Sequence, residues 1–297
     1  MSKDNISRRR FIRHTSIAAI GGSLTLACRD SSSYDGKTRS RVVLIRDESV
    51  MDDNGVPRLE AVQNMLDEGV KRLTGKADPQ AAWLSMIGPK DIVGLKNNRW
   101  PYLRTTPQVE EAIRRRVLQT GVTAANFAVD DLGVLRNPVF QKATALINAR
   151  PMRAHHWSGV GSLIKNYIMF LPNPASIHPD SCADLGRVWT LPIVKGKTRL
   201  NVLVMFTPQF HVTGPHSFNP RYLHRYDGLL LGFDPVAVDT MGLRIIEGMR
   251  REHFGDDRPL SPPAKHIVVA DQKYRLGTSN PDNIELIRIG YDRNSFI

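Results

Sequence analysis

The chain of 297 residues carries 41 Lys and Arg against 29 Asp and Glu, a formal net charge of +12, with 41% hydrophobic and 24% charged residues. This balance belongs to a folded globular chain and excludes a mainly disordered one. Nucleic acid is not an expected partner, because no Lys/Arg stripe interleaved with aromatics and no zinc-finger spacing accompanies the charge.

The N-terminus carries the sharpest local signal. Residues 7–13 read Ser-Arg-Arg-Arg-Phe-Ile-Arg, and an Ala- and Gly-rich apolar stretch shorter than a membrane span follows over 17–27. Paired arginines before a short, weakly apolar segment predict a twin-arginine export signal over 1–27. The twin-arginine translocase is then a partner, and the location is periplasmic or exported. A basic amphipathic helix is the alternative, and Gly21, Gly22 and Ser23 disfavour it. Lys3, Arg8, Arg9, Arg10 and Arg13 against Asp4 place +4 of the +12 in this leader, leaving a moderately basic remainder. Leu24-Thr25-Leu26-Ala27-Cys28 resembles a lipoprotein box with Cys28 as the lipidated residue. Ordinary cleavage after Ala27 and a retained signal segment are open alternatives. This route exports folded proteins, many of them already carrying a cofactor, so a cofactor is expected without its kind being specified.

Residues 28–40, rich in Ser, Asp and Arg, predict a flexible linker. Residues 41–297 then predict a single α/β domain. An aliphatic strand is expected at 42–45. Leu59, Val62, Met65, Leu66, Val70 and Leu73 fall at helical spacing over 59–73. A strand at 92–95 precedes a helix over 107–118, with Thr106 as N-cap and Pro107 in its first turn. Strands follow at 127–129, 145–147, 200–206, 229–233, 267–269 and 284–289. Helices are expected at 160–170, 180–191 and 235–251, the last capped by Asp234 ahead of Pro235. Such alternation predicts a mixed, largely parallel sheet with helices on both faces. In such sheets ligands sit beyond the carboxyl ends of the strands.

Polar residues follow each predicted strand: Lys96 and Asn98, Asp130 and Asp131, then Asn148, Arg150, Arg153, His155 and His156. His211 and His216, and finally Asp234 and Asp239, continue the series, so one edge of the sheet is the expected cleft. Lys96, Arg150, Arg153 and Lys165 suit a small anionic ligand. His155, His156 or His178 suit acid/base work, paired with Asp180 or Asp184. Ser158-Gly159-Val160-Gly161-Ser162, ahead of a helix, offers backbone N–H groups to an anion. His155, His156, His178 and Cys182 also supply donors suited to a metal ion, although H-E-x-x-H and C-x-x-C spacings are absent. The structural alternatives are Asp180 as a helix cap and Cys182 as a buried small hydrophobe.

Several segments together carry a family resemblance. They are D-I-V-G-L-K-N-N, T-T-P-Q-V-E-E-A-I, A-L-I-N, H-H-W-S-G-V-G-S-L-I-K-N-Y, H-P-D-S-C-A-D-L, Y-D-G-L-L-L-G-F-D-P-V-A-V-D and Y-R-L-G-T-S-N-P-D-N-I-E-L. In this order, over about residues 91–289, the chain resembles the family called domain of unknown function 362, in its twin-arginine-exported branch. The resemblance implies an α/β fold and adds Asn98, Asn166, Asp234 and Asp239 to the ligand-binding positions. Asn97, the Arg99-Trp100-Pro101 loop and the His155-His156 pair depart from its usual residues. Some members carry ferredoxin-like modules, which implies an exported redox partner and a second reading as a non-catalytic accessory or maturation protein. No internal iron–sulfur cluster is expected, because the two cysteines, Cys28 and Cys182, cannot supply the usual four thiolates.

Overall fold

The computed structural model describes residues 39–297 except 213, 215 and 216. The predicted leader, Cys28, the linker up to residue 38 and His216 therefore lie outside the described residues.

Eight strands build one sheet: β1 (Ser40–Arg46), β2 (Val93–Lys96), β3 (Phe127–Asp130), β4 (Ala145–His155), β5 (Gly159–Gly161), β6 (Thr198–Gln209), β7 (Gly228–Gly232) and β8 (Ile284–Gly290). Their order is β3-β2-β4-β6-β7-β1-β8, with β5 paired to β4 alone. The β3, β2, β4 and β6 neighbours are parallel; β7 runs antiparallel between β6 and β1, and β8 is parallel to β1. The helices are α1 (Leu59–Thr74), α2 (Pro79–Leu84), α3 (Pro107–Gln119), α4 (Pro138–Lys142), α5 (Leu163–Asn166), α6 (Pro179–Cys182), α7 (Pro235–Phe254) and α8 (Lys265–Gln272). The chain is thus an α/β fold with a mixed, mostly parallel sheet covered on both faces.

Period-two alternation decides which residues meet which layer. Leu200, Val202, Val204 and Phe206 of β6 pack with Val62 and Leu66 of α1 and Ile113 of α3. Leu203 and Met205 pack on the other face with Val238, Met241 and Ile245 of α7. In β4, Ala145, Ile147 and Ala149 join the first core, while Leu146 and Met152 join the second. Asn148 and Arg150 share the face of Leu146 and Met152, so they enter the layer of α5 and α7.

Four expectations are corrected. Residues 267–269 are not a strand but lie in α8; Val268 is 45% exposed while Ile267 and Ala270 are buried, which is a helical pattern. The helix expected over 160–170 begins only at Leu163, because Gly159–Gly161 pairs back onto Arg153, Ala154 and His155 of β4. The helix expected over 180–191 is broken, since Asp180, Ser181 and Cys182 all take positive φ (50, 58 and 60°). Left-handed backbone at non-glycine residues costs on the order of 1–3 kcal/mol apiece and persists only where its surroundings impose it. Thr106 does sit at the N-cap of α3, but its hydroxyl is buried without a hydrogen bond and caps nothing.

Candidate functional site

β2, β4 and β6 end on one edge of the sheet, and their polar residues turn into the layer of α5. Asn166 is the centre of a buried ladder. Its amide nitrogen donates to Asn148 Oδ1 (2.8 Å) and to the Lys96 carbonyl (3.1 Å). Asn148 in turn donates to Asn201 Oδ1 (3.2 Å) and to the Leu163 carbonyl (3.1 Å). The three asparagines are at most 2% exposed, and side-chain amides can bridge in this way because each is both donor and acceptor.

Lys96 is held firmly. Its Nζ donates to Asp131 Oδ1 (2.6 Å), to the Asn97 carbonyl (2.8 Å) and to Asn166 Oδ1 (3.4 Å). Asp131 also accepts the Arg99 N–H (2.8 Å), which ties the loop after β2 to the loop after β3. Burial lowers the lysine to about 8 even though Asp131 opposes the change. Of the neighbouring asparagines, Asn97 is buried and donates to Glu110 (2.6 Å), whereas Asn98 is half-buried and anchors its loop through its backbone on Thr105.

Unlike Lys96, Arg150 and Arg153 have no carboxylate among the described residues at ion-pair distance, although Asp131 and Asp239 attract Arg150 from farther away. The two arginines are 4% and 6% exposed, their Nε atoms are buried without an acceptor, and neither guanidinium hydrogen-bonds to any described residue. Arg153 lies under the Trp100 ring, 3.9 Å from its centroid. Trp100 in turn meets Tyr102 and Phe218 edge-on, so the loop after β2 roofs this part of the site. Gly161 makes room for Arg150: a Cβ there would stand 2.6 Å from Nη2. Burial pulls Arg150 down to about 10, and burial with repulsion from Arg150 pulls Arg153 to about 9. Both stay cationic at neutral pH.

Lys165 completes the cluster. It is 4% exposed, and among the described residues its amine's only hydrogen-bond contact is Cys182 Sγ at 3.5 Å. Burial lowers it to about 8, with Arg150 and Arg153 adding repulsion. Burial keeps the Cys182 thiol protonated by raising it. The strained turn at 180–182 is what brings this thiol against the amine.

His155 is buried beside these cations. Its Nδ1 accepts the Trp157 N–H (3.2 Å), which assigns the proton to Nε2. Burial, reinforced by Lys165, Arg153 and Arg150, holds the ring neutral, far below the ordinary histidine range. His155 stacks on His156 at 5.0 Å, and Trp157 lies between His156 (4.2 Å) and His178 (4.1 Å). His178 is half-buried and lowered by burial and then by Lys165.

Several predicted positions fall elsewhere. Asp180 and Asp184 do not pair with the histidines; they bind α8 and the turn after it, Asp180 through Lys265 and Asp184 through Lys273 and Tyr274. His155, His156, His178 and Cys182 do not assemble as metal ligands: among the described residues no group of three or more His, Cys, Asp or Glu is placed to hold an ion. Stacked rings and a thiol turned to Lys165 account for this. Asp234 lies on the opposite edge, because β7 is antiparallel. There it accepts Val236 N–H, Ala237 N–H, Thr278 N–H and the Ser40 hydroxyl. Asp239 is buried next to the cluster but is already committed: it accepts Leu163 N–H (2.9 Å), Ile164 N–H (2.8 Å) and the Ser162 hydroxyl (2.7 Å). The helix start expected to receive an external anion is therefore filled by the protein's own carboxylate. Burial raises that carboxylate to about 6.

The structure adds Asn201, Asp131 as the partner of Lys96, and His266, whose Nε2 lies 3.4 Å from Ser162 Oγ and whose Nδ1 is buried without a partner. Asn201 had a legible signal, a lone amide within the apolar run of β6. His266 had none once 267–269 read as a strand.

A separate cleft of about 590 Å³, lined by Arg46, Glu48, His224, Arg225, Asp227 and Tyr291 among others, opens at the carboxyl ends of β1 and β8. Arg225 pairs with Asp227 and Arg293 with Glu48, and Arg46 donates to the Tyr226 and Arg293 carbonyls and to the Tyr291 hydroxyl, so its guanidinium has acceptors that those of Arg150 and Arg153 lack. Comparison of the chain with protein-family models, curated proteins and solved structures gives no match.

Proposed function

We propose that the chain is an exported α/β protein that binds or transforms a small anionic ligand at the carboxyl ends of β2, β4 and β6. One observation carries the reading: the Arg150 and Arg153 guanidiniums are almost wholly buried, and no described residue offers either a hydrogen-bond acceptor. Leaving an ion buried and unpaired costs several kcal/mol. The cluster holds Lys96, Arg150, Arg153 and Lys165, while Asp131 is bound to Lys96 and Asp239 to the start of α5. An anion with two or more oxygens fills the deficit, since a guanidinium presents parallel donors to carboxylate or phosphate. Neutral His155, with its proton on Nε2, serves as a further donor rather than as a base. Export is supported by the arginine pair and short apolar stretch of the leader.

Isothermal titration with inorganic phosphate and with pyruvate tests the binding. At least one probe is expected to bind, and Arg150→Met is expected to weaken it by about tenfold or more, the worth of a charge-assisted hydrogen bond. Unchanged affinity in folded Arg150→Met and Arg153→Met proteins, or no binding of either probe, rejects the reading.

A further inference from the structure

We infer that Lys165 is a nucleophilic amine that condenses with the carbonyl of an oxo-acid whose carboxylate is held by Arg150 and Arg153. The inference rests on the anion reading above and narrows its substrate class.

The two buried lysines point to this division of labour. Lys96 is immobilised by a carboxylate, a backbone carbonyl and an amide oxygen. Among the described residues Lys165 has no carboxylate or carbonyl partner; its amine's one hydrogen-bond contact there is the Cys182 thiol at 3.5 Å. A thiol is a weak acceptor, so the amine is left with a usable lone pair when deprotonated. The charged and titratable groups acting on Lys165 are Arg150, Arg153 and Cys182, and Lys165 in turn acts on His155, His178 and His266. Burial in the company of fixed cations raises the neutral fraction of a lysine and so favours Schiff-base formation. Burial and the two guanidiniums accordingly hold Lys165 at about 8. The strained backbone at 180–182 places the thiol where it orients the amine.

The chemistry balances without an outside oxidant or reductant. Lys165 Nζ adds to the carbonyl carbon, forming the C–N bond, while the carbonyl π pair becomes a hydroxyl that takes one amine proton. That hydroxyl then leaves as water with the second amine proton, and the C=N bond remains. Arg150 and Arg153 hold the carboxylate throughout, so the ligand contributes an acid group and an adjacent carbonyl.

The test is reductive trapping. The folded protein is incubated with pyruvate and sodium cyanoborohydride, and the modified lysine is located by peptide mass mapping. The expected result is one secondary-amine adduct on Lys165, formed faster than on surface lysines by on the order of 100-fold, as its larger neutral fraction requires. Excess phosphate, which fills the arginine site but has no carbonyl, is expected to suppress it. Lys165→Arg is expected to abolish it, and the mapping on wild-type protein decides the matter if that variant does not fold. Pyruvate binding without an adduct on Lys165, or an adduct spread over many lysines, overturns this inference and leaves anion binding standing. Failure of both pyruvate and phosphate to bind overturns both.

Discussion

At the scale of single residues, the same charged group has opposite meanings according to its partner. Lys96 and Asp131 form a buried pair whose attraction offsets desolvation only while both members are present. Asp131→Asn therefore strands a buried ammonium, and we expect a loss of about 3–5 kcal/mol in urea unfolding. Pairing it with Lys96→Met should recover most of that loss. If the double variant is no more stable than the single one, the pair is not what Asp131 contributes. Arg150 and Arg153 lack such a partner, and that contrast, rather than their burial alone, separates a site from a structural ion pair. His155 shows how position overrides type: a histidine among cations becomes a neutral donor, and acid/base work near pH 7 falls to it only after an anion offsets the surrounding charge.

At the scale of elements, the direction of one strand reassigns two aspartates. Asp234 and Asp239 lie five residues apart, on either side of the first turn of α7. Asp234 caps that helix at the edge away from the cluster and also holds Ser40 of β1 and the Thr278 N–H, fastening α7, β1 and the segment before β8 together. Asp239 reaches forward from α7 to cap α5. Asp234→Ala should cost about 1–2 kcal/mol, the range of a lost N-cap, and should leave phosphate or pyruvate affinity unchanged in titration calorimetry. A variant that kept its stability but lost affinity would return Asp234 to the ligand. The bulge where Pro151 pairs with Val204 but Arg153 with Gln209 belongs to the same scale. Bulges re-aim side chains near sites, and this one lies between the two unpartnered arginines.

At the scale of the whole molecule, the cation cluster couples stability to pH and to ligand. Lys96 and Lys165 are both lowered to about 8 by burial, whereas lysines of the unfolded chain hold their protons to about 10.4. Between these limits the unfolded state binds more protons, so stability rises with pH; below 8 the cost of the buried charges is fully present. The free protein should gain up to about 1.4 kcal/mol per pH unit and per lysine between pH 8 and 9.5. Tyr167 and Tyr226, whose phenols burial keeps protonated well above the ordinary tyrosine range, oppose the trend above pH 10, where the unfolded chain ionises first. Saturating phosphate should flatten the rise, because a bound dianion, with more charge than a single carboxylate, favours the protonated lysines. Chemical denaturation at pH 7.5 and 9.5, with and without phosphate, measures both effects, and an equally steep rise with phosphate present would separate the lysines from the anion.

Much of this architecture was legible in the residues. Apolar spacing announces α1, Thr106-Pro107 announces the start of α3, aliphatic runs announce seven of the eight described strands, and Asp234-Pro235 announces the start of α7, because these signals are local consequences of periodicity and capping. The clustering of Lys96, Arg150, Arg153 and Lys165 was readable only in outline: the strand expected at 145–147 runs on to His155, so Arg150 and Arg153 reach the cluster from within β4 and Lys165 from α5, not from loops after strands. Three-dimensional packing alone decided the rest. The direction of β7 depends on which neighbour it pairs with, a contact far away in sequence, and it removed Asp234 from the site. The left-handed turn at 180–182 is held by surroundings that no local propensity encodes, and it gave Cys182 to Lys165 instead of to the histidines. Whether a buried charge is paired is a property of the whole fold, which is why Lys96 and Lys165, alike in sequence, differ in chemistry.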